Sequence, residues 1–408
     1  MHTIIRGALL CLEQGLAPGS VAISDGRIAG VFLGAEDGDE KSPTSPLSAA
    51  PSAAPSAAWP SGDTLVVDAQ GMILSPGLID LHCHGGAGAD VNDGSSEALA
   101  AVGAYHRSHG VTAYAPSVSV DPMPALDRAL RTIRRAMESN RPGDIEILGA
   151  HFESPYINPL YKGCQAAERL LPFDAAAIDF LGAFRDCIAR ITVAPELPGV
   201  LEAIPLFREW GFVVSLGHSD ADASLFRLAV DQGATMATHL YNAMSSTRKV
   251  GPFRVPGVLE AALTDDRVFT ELIGDGKHVP PELMRIALRC KGPDKFMLCS
   301  DANRGAGMEK GATLYTCGQE AIVEDGVAML KDRSSLASSV TALDGMVRIL
   351  VRELDLPFHQ AIRAASAIPA RAIGVGERKG CLAQGYDADL VLWDTQLQVR
   401  RVWCRGIG

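Results

Sequence analysis

Between residues 78 and 300 the chain repeats one unit eight times, a short apolar run followed by a longer connection. The apolar runs are 78–82, 112–115, 147–153, 191–194, 213–218, 236–239, 270–273 and 296–300. Stretches such as 96–108, 123–138, 175–189 and 221–232 lie between them with apolar residues at helical spacing. Strands alternating with helices build parallel sheets, because a parallel neighbour needs a crossover long enough to hold a helix. Eight such units predict an α/β fold, a closed (βα)8 barrel of the TIM type, whose usual size is about 250 residues. An open doubly wound sheet would carry a glycine-rich phosphate loop after its first strand. Asp80-Leu-His-Cys-His-Gly-Gly is not such a loop.

The two chain ends read differently. Residues 3–8, 20–24 and 27–32 alternate apolar and polar, and Asp25-Gly26 between the last two is a strong hairpin signal. Strand-like patterning returns at 389–393 and 399–403. Both ends together, residues 1–70 and 380–408, are expected to form a small β-sandwich-like domain around the barrel of 71–379. Residues 36–62 repeat PSAAPSAA and cannot bury a core, so a mobile low-complexity loop is expected there.

Composition narrows the class of partner. A net charge of -11 argues against nucleic acid or an anionic membrane surface, which attract basic proteins. An anionic substrate would need its own local positive charge. The nine cysteines are dispersed and include no CxxC pair, which suits reduced thiols in a cytoplasmic protein. The N-terminus has no signal-peptide pattern, and no apolar run approaches the roughly 20 residues that span a bilayer.

Potential metal ligands gather at the C-terminal ends of the predicted strands. His82 and His84 end the first, two apart and therefore on one side. His151 and Glu153 do the same on the third; His218 closes the fifth, His239 the sixth and Asp301 the eighth. Barrel enzymes carry their catalytic groups at these ends, and imidazole with carboxylate suits zinc and related divalent metals. One such residue alone would be unremarkable, since a lone histidine is more often structural. Their spread over five strand ends is not explained that way. His2, His106, His109 and His359 are assigned no chemistry; a surface role suffices for His106 and His109, near the end of the first barrel helix.

With these residues in view, the chain resembles the N-acetylglucosamine-6-phosphate deacetylases of the amidohydrolase superfamily over about residues 15–395. The resemblance rests on SPGLIDLHCHGG (75–86), GAHFESPYINPLYKG (149–163), TVAPE (192–196), SLGHSDA (215–221), THLYNAMS (238–245), DGKHV (275–279), SDA (300–302) and IPARAIGV (368–375). It implies that Glu153, His218 and His239 are the main metal ligands. It also implies that His82 and His84 complete a second site, for one or two divalent ions, zinc or else iron or another transition metal. Asp301 would be the catalytic aspartate, also close to the metal, with His278 assisting at the substrate oxygens. Asn242, Ala243, Arg254 and His278 match positions that hold the sugar phosphate. That arginine can reach in from a neighbouring subunit in the family, which implies a homodimer.

The implied reaction removes the N-acetyl group from an amino-sugar 6-phosphate, N-acetylglucosamine 6-phosphate first, giving the free amine and acetate. Three positions depart from the family pattern. Gln165 replaces a usual sugar-contacting histidine and is expected to bind the substrate, hydrogen-bonding its hydroxyls without becoming charged; Arg304 follows Asp301 where small residues are usual, and Ser154 replaces a glycine. These leave the sugar open, and another N-acyl sugar or an N-acyl amino acid is the alternative substrate. Cyclic-amide relatives commonly use a carbamylated lysine on the fourth strand, and Ile191-Thr-Val-Ala-Pro-Glu has none. A non-catalytic sugar-phosphate sensor would have no need of Asp301.

Overall fold

The computed structural model describes residues 2–34, 64–153 and 155–408. The expected low-complexity loop and Ser154 lie outside the described residues. Eight parallel strands form the barrel: Leu78–Cys83, Val111–Val118, Ala150–Phe152, Ile188–Val193, Val213–Leu216, Met236–Ala237, Phe269–Ile273 and Phe296–Cys299. Neighbours in sequence are neighbours in the sheet from the first strand to the eighth. The ring closes near its C-terminal end, where Cys83 bridges Ala302 and the Asp301 amide donates to the His82 carbonyl at 2.8 Å.

Local chemistry accounts for the helices between. Ser95 caps Ser96–Ser108 by accepting from the Ala98 amide at 3.1 Å, and Asp222 caps Ala223–Asp231 by accepting from Ser224 and Leu225. The helix expected over 175–189 ends at Ala183. Residues 184–187 turn the chain, and the fourth strand starts at Ile188, three residues before its predicted start. An apolar run before a buried strand has no periodicity that separates helix end from strand start.

Both chain ends combine in one seven-stranded sheet. His2–Leu12 pairs with Gly15–Ser24 on one side and, on the other, with Thr64–Asp68 and then Ile73–Pro76. Asp25 (φ 51°) and Gly26 (φ 76°) form the expected hairpin turn. Leu390–Trp393 and Val399–Trp403 extend the sheet beyond Ile73–Pro76. Trp393 is fully buried, stacks edge-on against Phe358 of the barrel helix Phe358–Ala364, and donates to Ser75 Oγ at 2.8 Å. Among the described residues no helix is long and apolar enough to cross a membrane.

Two antiparallel additions were not expected. Thr313–Thr316, Gln319–Glu324, Val327–Leu330 and Leu336–Ser339 form a four-stranded meander after the eighth barrel strand. Asp325-Gly326 at its second turn was the readable signal. Arg248–Val250 and Phe253–Val255 form an exposed two-stranded ribbon.

A buried cluster of charges ties the end of the barrel to the terminal sheet. Lys379, 1% exposed, contacts Glu146 Oε2 at 2.7 Å and Asp387 Oδ2 at 3.2 Å, and also pairs with Asp389. Arg378 bridges Glu146 and Asp387 at 2.6 Å each. Removing one member of a buried ion cluster strands the opposite charges. Lys379→Met is therefore expected to destabilise the fold by about 3–5 kcal/mol, read as a lower urea midpoint at unchanged slope.

Candidate active site

Imidazoles and carboxylates from the ends of five barrel strands converge above the barrel core. Two sets each bring their ligand atoms within 4.8 Å of one another: Glu153, His218 and His239, and His82, His84 and Asp301. Glu153 Oε1 stands 3.2 Å from His82 Nε2 and 3.3 Å from both His218 Nε2 and His239 Nε2. His84 Nε2 lies 3.1 Å from Glu153 Oε2 and 3.3 Å from Asp301 Oδ1. His218 and His239 face each other at 3.1 Å through Nε2, as do His82 and His84.

Two of these tautomers are set from outside the cluster. His218 Nδ1 donates to the Tyr161 carbonyl at 2.7 Å, and His82 Nδ1 to Glu271 Oε1 at 2.9 Å. Each Nε2 is then left with its lone pair facing inward, the arrangement in which outer partners orient metal-binding histidines. Glu271 is held in turn by Arg190, through contacts of 2.6 Å to each carboxylate oxygen, with both residues 0% exposed. Burial raises the Glu271 carboxyl pKa, but Arg190 and His82 outweigh it and keep the carboxylate ionised.

These donors fit a divalent cation. Ligand atoms sharing a tetrahedral ion at about 2.0–2.1 Å stand roughly 3.3 Å apart, the spacing found here. Glu153 Oε1 is buried without a hydrogen-bond partner, ringed by nitrogens. Burial lowers the pKa of His82, yet Glu153, Asp301 and Glu271 together push it up to about 10. The pocket's carboxylates thus demand positive charge, which a bound cation would satisfy without protonating the imidazoles.

Strain collects at the same residues. His218 (φ 49°), His239 (φ 27°) and Asp301 (φ 45°) have positive φ, which non-glycine residues rarely adopt. Such conformations persist where the surroundings over-determine them, and they cluster at functional sites. Asp301 is 6% exposed; burial raises its pKa, but His82 and His84 bring it below the ordinary carboxylate value. His278 Nδ1 donates to Asp275 Oδ2 at 2.7 Å. Burial lowers the His278 pKa, and Asp275 more than reverses this, favouring the imidazolium.

The cavity above the cluster, about 190 Å³, is lined by His84, Glu153, His218, His239, His278 and Asp301, with Asn242, Ala243 and Gln165 beside them. The meander contributes Cys317, Leu336 and Ser338 to its wall. Gln165 has its amide engaged, accepting from the Val120 amide at 3.1 Å and donating to the Glu153 carbonyl at 3.4 Å. Arg304 turns away onto Asp93 Oδ1 at 2.7 Å. Arg254 lies on the exposed ribbon, outside the lining of its own chain's cavity. His151 sits beneath the cluster, bonded to Ser117 and Thr192.

One reading is corrected. His106 has no surface role: it is 0% exposed, with Nε2 2.9 Å from the Gly85 carbonyl and 3.0 Å from Cys83 Sγ. Burial pulls its pKa down to about 4, so it is neutral. Arg190 and Glu271 were missed altogether. The available signal was one charged residue inside each of two apolar strands, Ile-Ala-Arg-Ile-Thr-Val and Phe-Thr-Glu-Leu-Ile.

Comparison with known proteins agrees with this geometry. Residues 73–407 match the sequence model of the Amidohydrolase family. The chain is 34% identical to the N-acetylgalactosamine-6-phosphate deacetylase of Escherichia coli O157:H7, across 84% of this chain and 89% of that one. It is 35% identical to the N-acetylglucosamine-6-phosphate deacetylase of Bos taurus, across 83% and 84%. The crystal structure of the N-acetylglucosamine-6-phosphate deacetylase of Pasteurella multocida superposes with a TM-score of 0.87 at 27% identity, covering 100% of this chain and 99% of that one. A mutant of the Mycobacterium smegmatis N-acetyl-D-glucosamine-6-phosphate deacetylase, in complex with N-acetyl-D-glucosamine-6-phosphate, gives 0.84 at 29%, covering 99% and 98%. The chain belongs to the amidohydrolase family and, within it, to the N-acetylglucosamine-6-phosphate deacetylases.

Proposed function

We propose that this protein hydrolyses the acetamide of N-acetylglucosamine 6-phosphate, giving glucosamine 6-phosphate and acetate. The observation that carries this reading is Asp301, an ionised carboxylate on a strained backbone 3.3 Å from His84 and 3.5 Å from His82, in the lining of the pocket. The names of the relatives support the substrate. The Escherichia coli relative favours the galactosamine epimer as the second reading.

Glu153, His218 and His239 would hold the principal divalent cation, and His82, His84 and Asp301 a second. Imidazole and carboxylate donors suit zinc, with iron compatible. When bound, such a cation acidifies water and polarises a carbonyl. Asp301 takes the proton of the attacking water and delivers it to the amine nitrogen as the C–N bond breaks. His278, oriented by Asp275, donates from Nε2 to the carbonyl oxygen as that oxygen gains charge. Asn242 and Ala243 shape the sugar's side of the pocket.

Among the described residues lining the cavity there is no lysine or arginine. A phosphate needs such a partner, and Arg254 is the matched one. Its ribbon also exposes Phe253 (72%) and Val250 (54%), apolar surface that a second copy would cover. The protein is accordingly read as a cytoplasmic homodimer in which Arg254 serves the neighbouring site.

Asp301→Asn should lower kcat by about 10²–10⁴ while calorimetry still detects binding of the sugar phosphate. Retained turnover would remove Asp301 as the proton carrier. A chelator should abolish acetate release, with elemental analysis showing metal loss and added zinc restoring both. Arg254→Ala should raise KM for the phosphorylated sugar but not for the unphosphorylated one. Mixing refolded Arg254→Ala and Asp301→Asn chains should restore activity if the arginine acts across a dimer; no recovery would place it within one chain.

A further inference from the structure

Two thiols meet in the wall of the catalytic pocket, and neither has a part in the hydrolysis. Cys164 lies in the loop after Gly163, and Cys317 in the first turn of the meander; both line the cavity. The two side chains are neighbours, close enough that the Cys164 thiol is the first cause of the rise in the Cys317 thiol's pKa, burial adding to it. Their segments are stitched together by the Ala166 amide donating to the Cys317 carbonyl at 3.0 Å and Gln319 Nε2 donating to the Cys164 carbonyl at 2.6 Å. Cys164 also packs against the meander's apolar core. Cys317 (φ 51°) and Gly318 (φ 81°) make a two-residue turn whose first position normally takes Asn, Asp or Gly. Turn chemistry therefore does not explain a cysteine there.

We propose that Cys164 and Cys317 are a redox modification site, closing a reversible disulfide that locks the wall of the active-site pocket. The oxidant is a small organic disulfide, RSSR. Cys164, the more exposed of the pair, attacks one sulfur as its thiolate, forming a mixed disulfide and releasing RSH after protonation. Cys317 then attacks the Cys164 sulfur, and the second RSH departs. Two thiols are oxidised, RSSR is reduced by two electrons, and both thiol protons leave on the two RSH molecules. All nine cysteines are free in this structure, its reduced form.

The link would reach the chemistry through the loop. A Cβ at Gly163 would stand 3.6 Å from the His218 ring, and the Tyr161 carbonyl orients that ring. Gln165, on the other side of Cys164, braces the Glu153 backbone. Tying this loop to the meander would fix two walls of the pocket relative to each other. This effect on turnover rests on the pocket being the catalytic one; the covalent link does not.

The test is titration of the metal-loaded, full-length protein with oxidised glutathione, followed by peptide mass mapping and acetate release. The expected result is a 164–317 cross-linked peptide lighter by two hydrogens, with loss of turnover in step and return of both on adding dithiothreitol. Cys164→Ser and Cys317→Ser, each compared with its own untreated activity, should lose the response. Exposed Cys290 serves as the control thiol, forming only a mixed disulfide with glutathione. Absence of the cross-link while Cys290 reacts would overturn the site. A cross-link without loss of turnover would overturn its control of the pocket, and loss persisting in Cys164→Ser would assign the effect to another thiol.

Discussion

The interior of this barrel is organised by one buried ion pair. Arg190 and Glu271 meet with no exposed surface, and such a pair offsets its desolvation only when its remaining donors and acceptors are satisfied. Here they are. The guanidinium also donates to the Leu81 carbonyl, Ser215 and Thr238, while Glu271 accepts from His82 Nδ1 and the His239 amide. His151, Ser117 and Thr192 extend the same polar layer. The first, fourth, fifth, sixth and seventh strands are thus held in register by hydrogen bonds as well as by apolar packing.

That layer is the foundation of the candidate metal-binding cluster. An imidazole serves as a ligand only in one tautomer and one orientation, and the group bonded to its other ring nitrogen decides both. Glu271 sets His82 from below, and the Tyr161 carbonyl sets His218 from the side. The positive φ values at His218, His239 and Asp301 turn the chain sharply as it leaves each strand. Local backbone strain is thereby held by the rigid ring beneath, as is usual where side chains are preorganised for chemistry.

Much of this was legible beforehand because the signals are local. Apolar runs and helical stripes report the alternation of strands and helices, and ligands two apart on a strand must share a face. His82, His84, Glu153, His218, His239 and Asp301 were therefore readable as a set. His106 was not, since helix position alone does not reveal which neighbour covers a residue. Nor were Arg190 and Glu271, whose partners lie 81 residues apart.

By itself, then, the sequence determined the barrel, its strand order and the chemical character of the strand ends, since these depend on periodicity and residue type. Only the tertiary structure decided which groups face one another. It turned Arg304 onto Asp93, engaged Gln165 with backbone, left Arg254 on an exposed ribbon and brought Cys164 beside Cys317. The physical reason is that contact between distant segments is set by barrel closure and by the packing of the meander on its rim. No local pattern encodes those constraints.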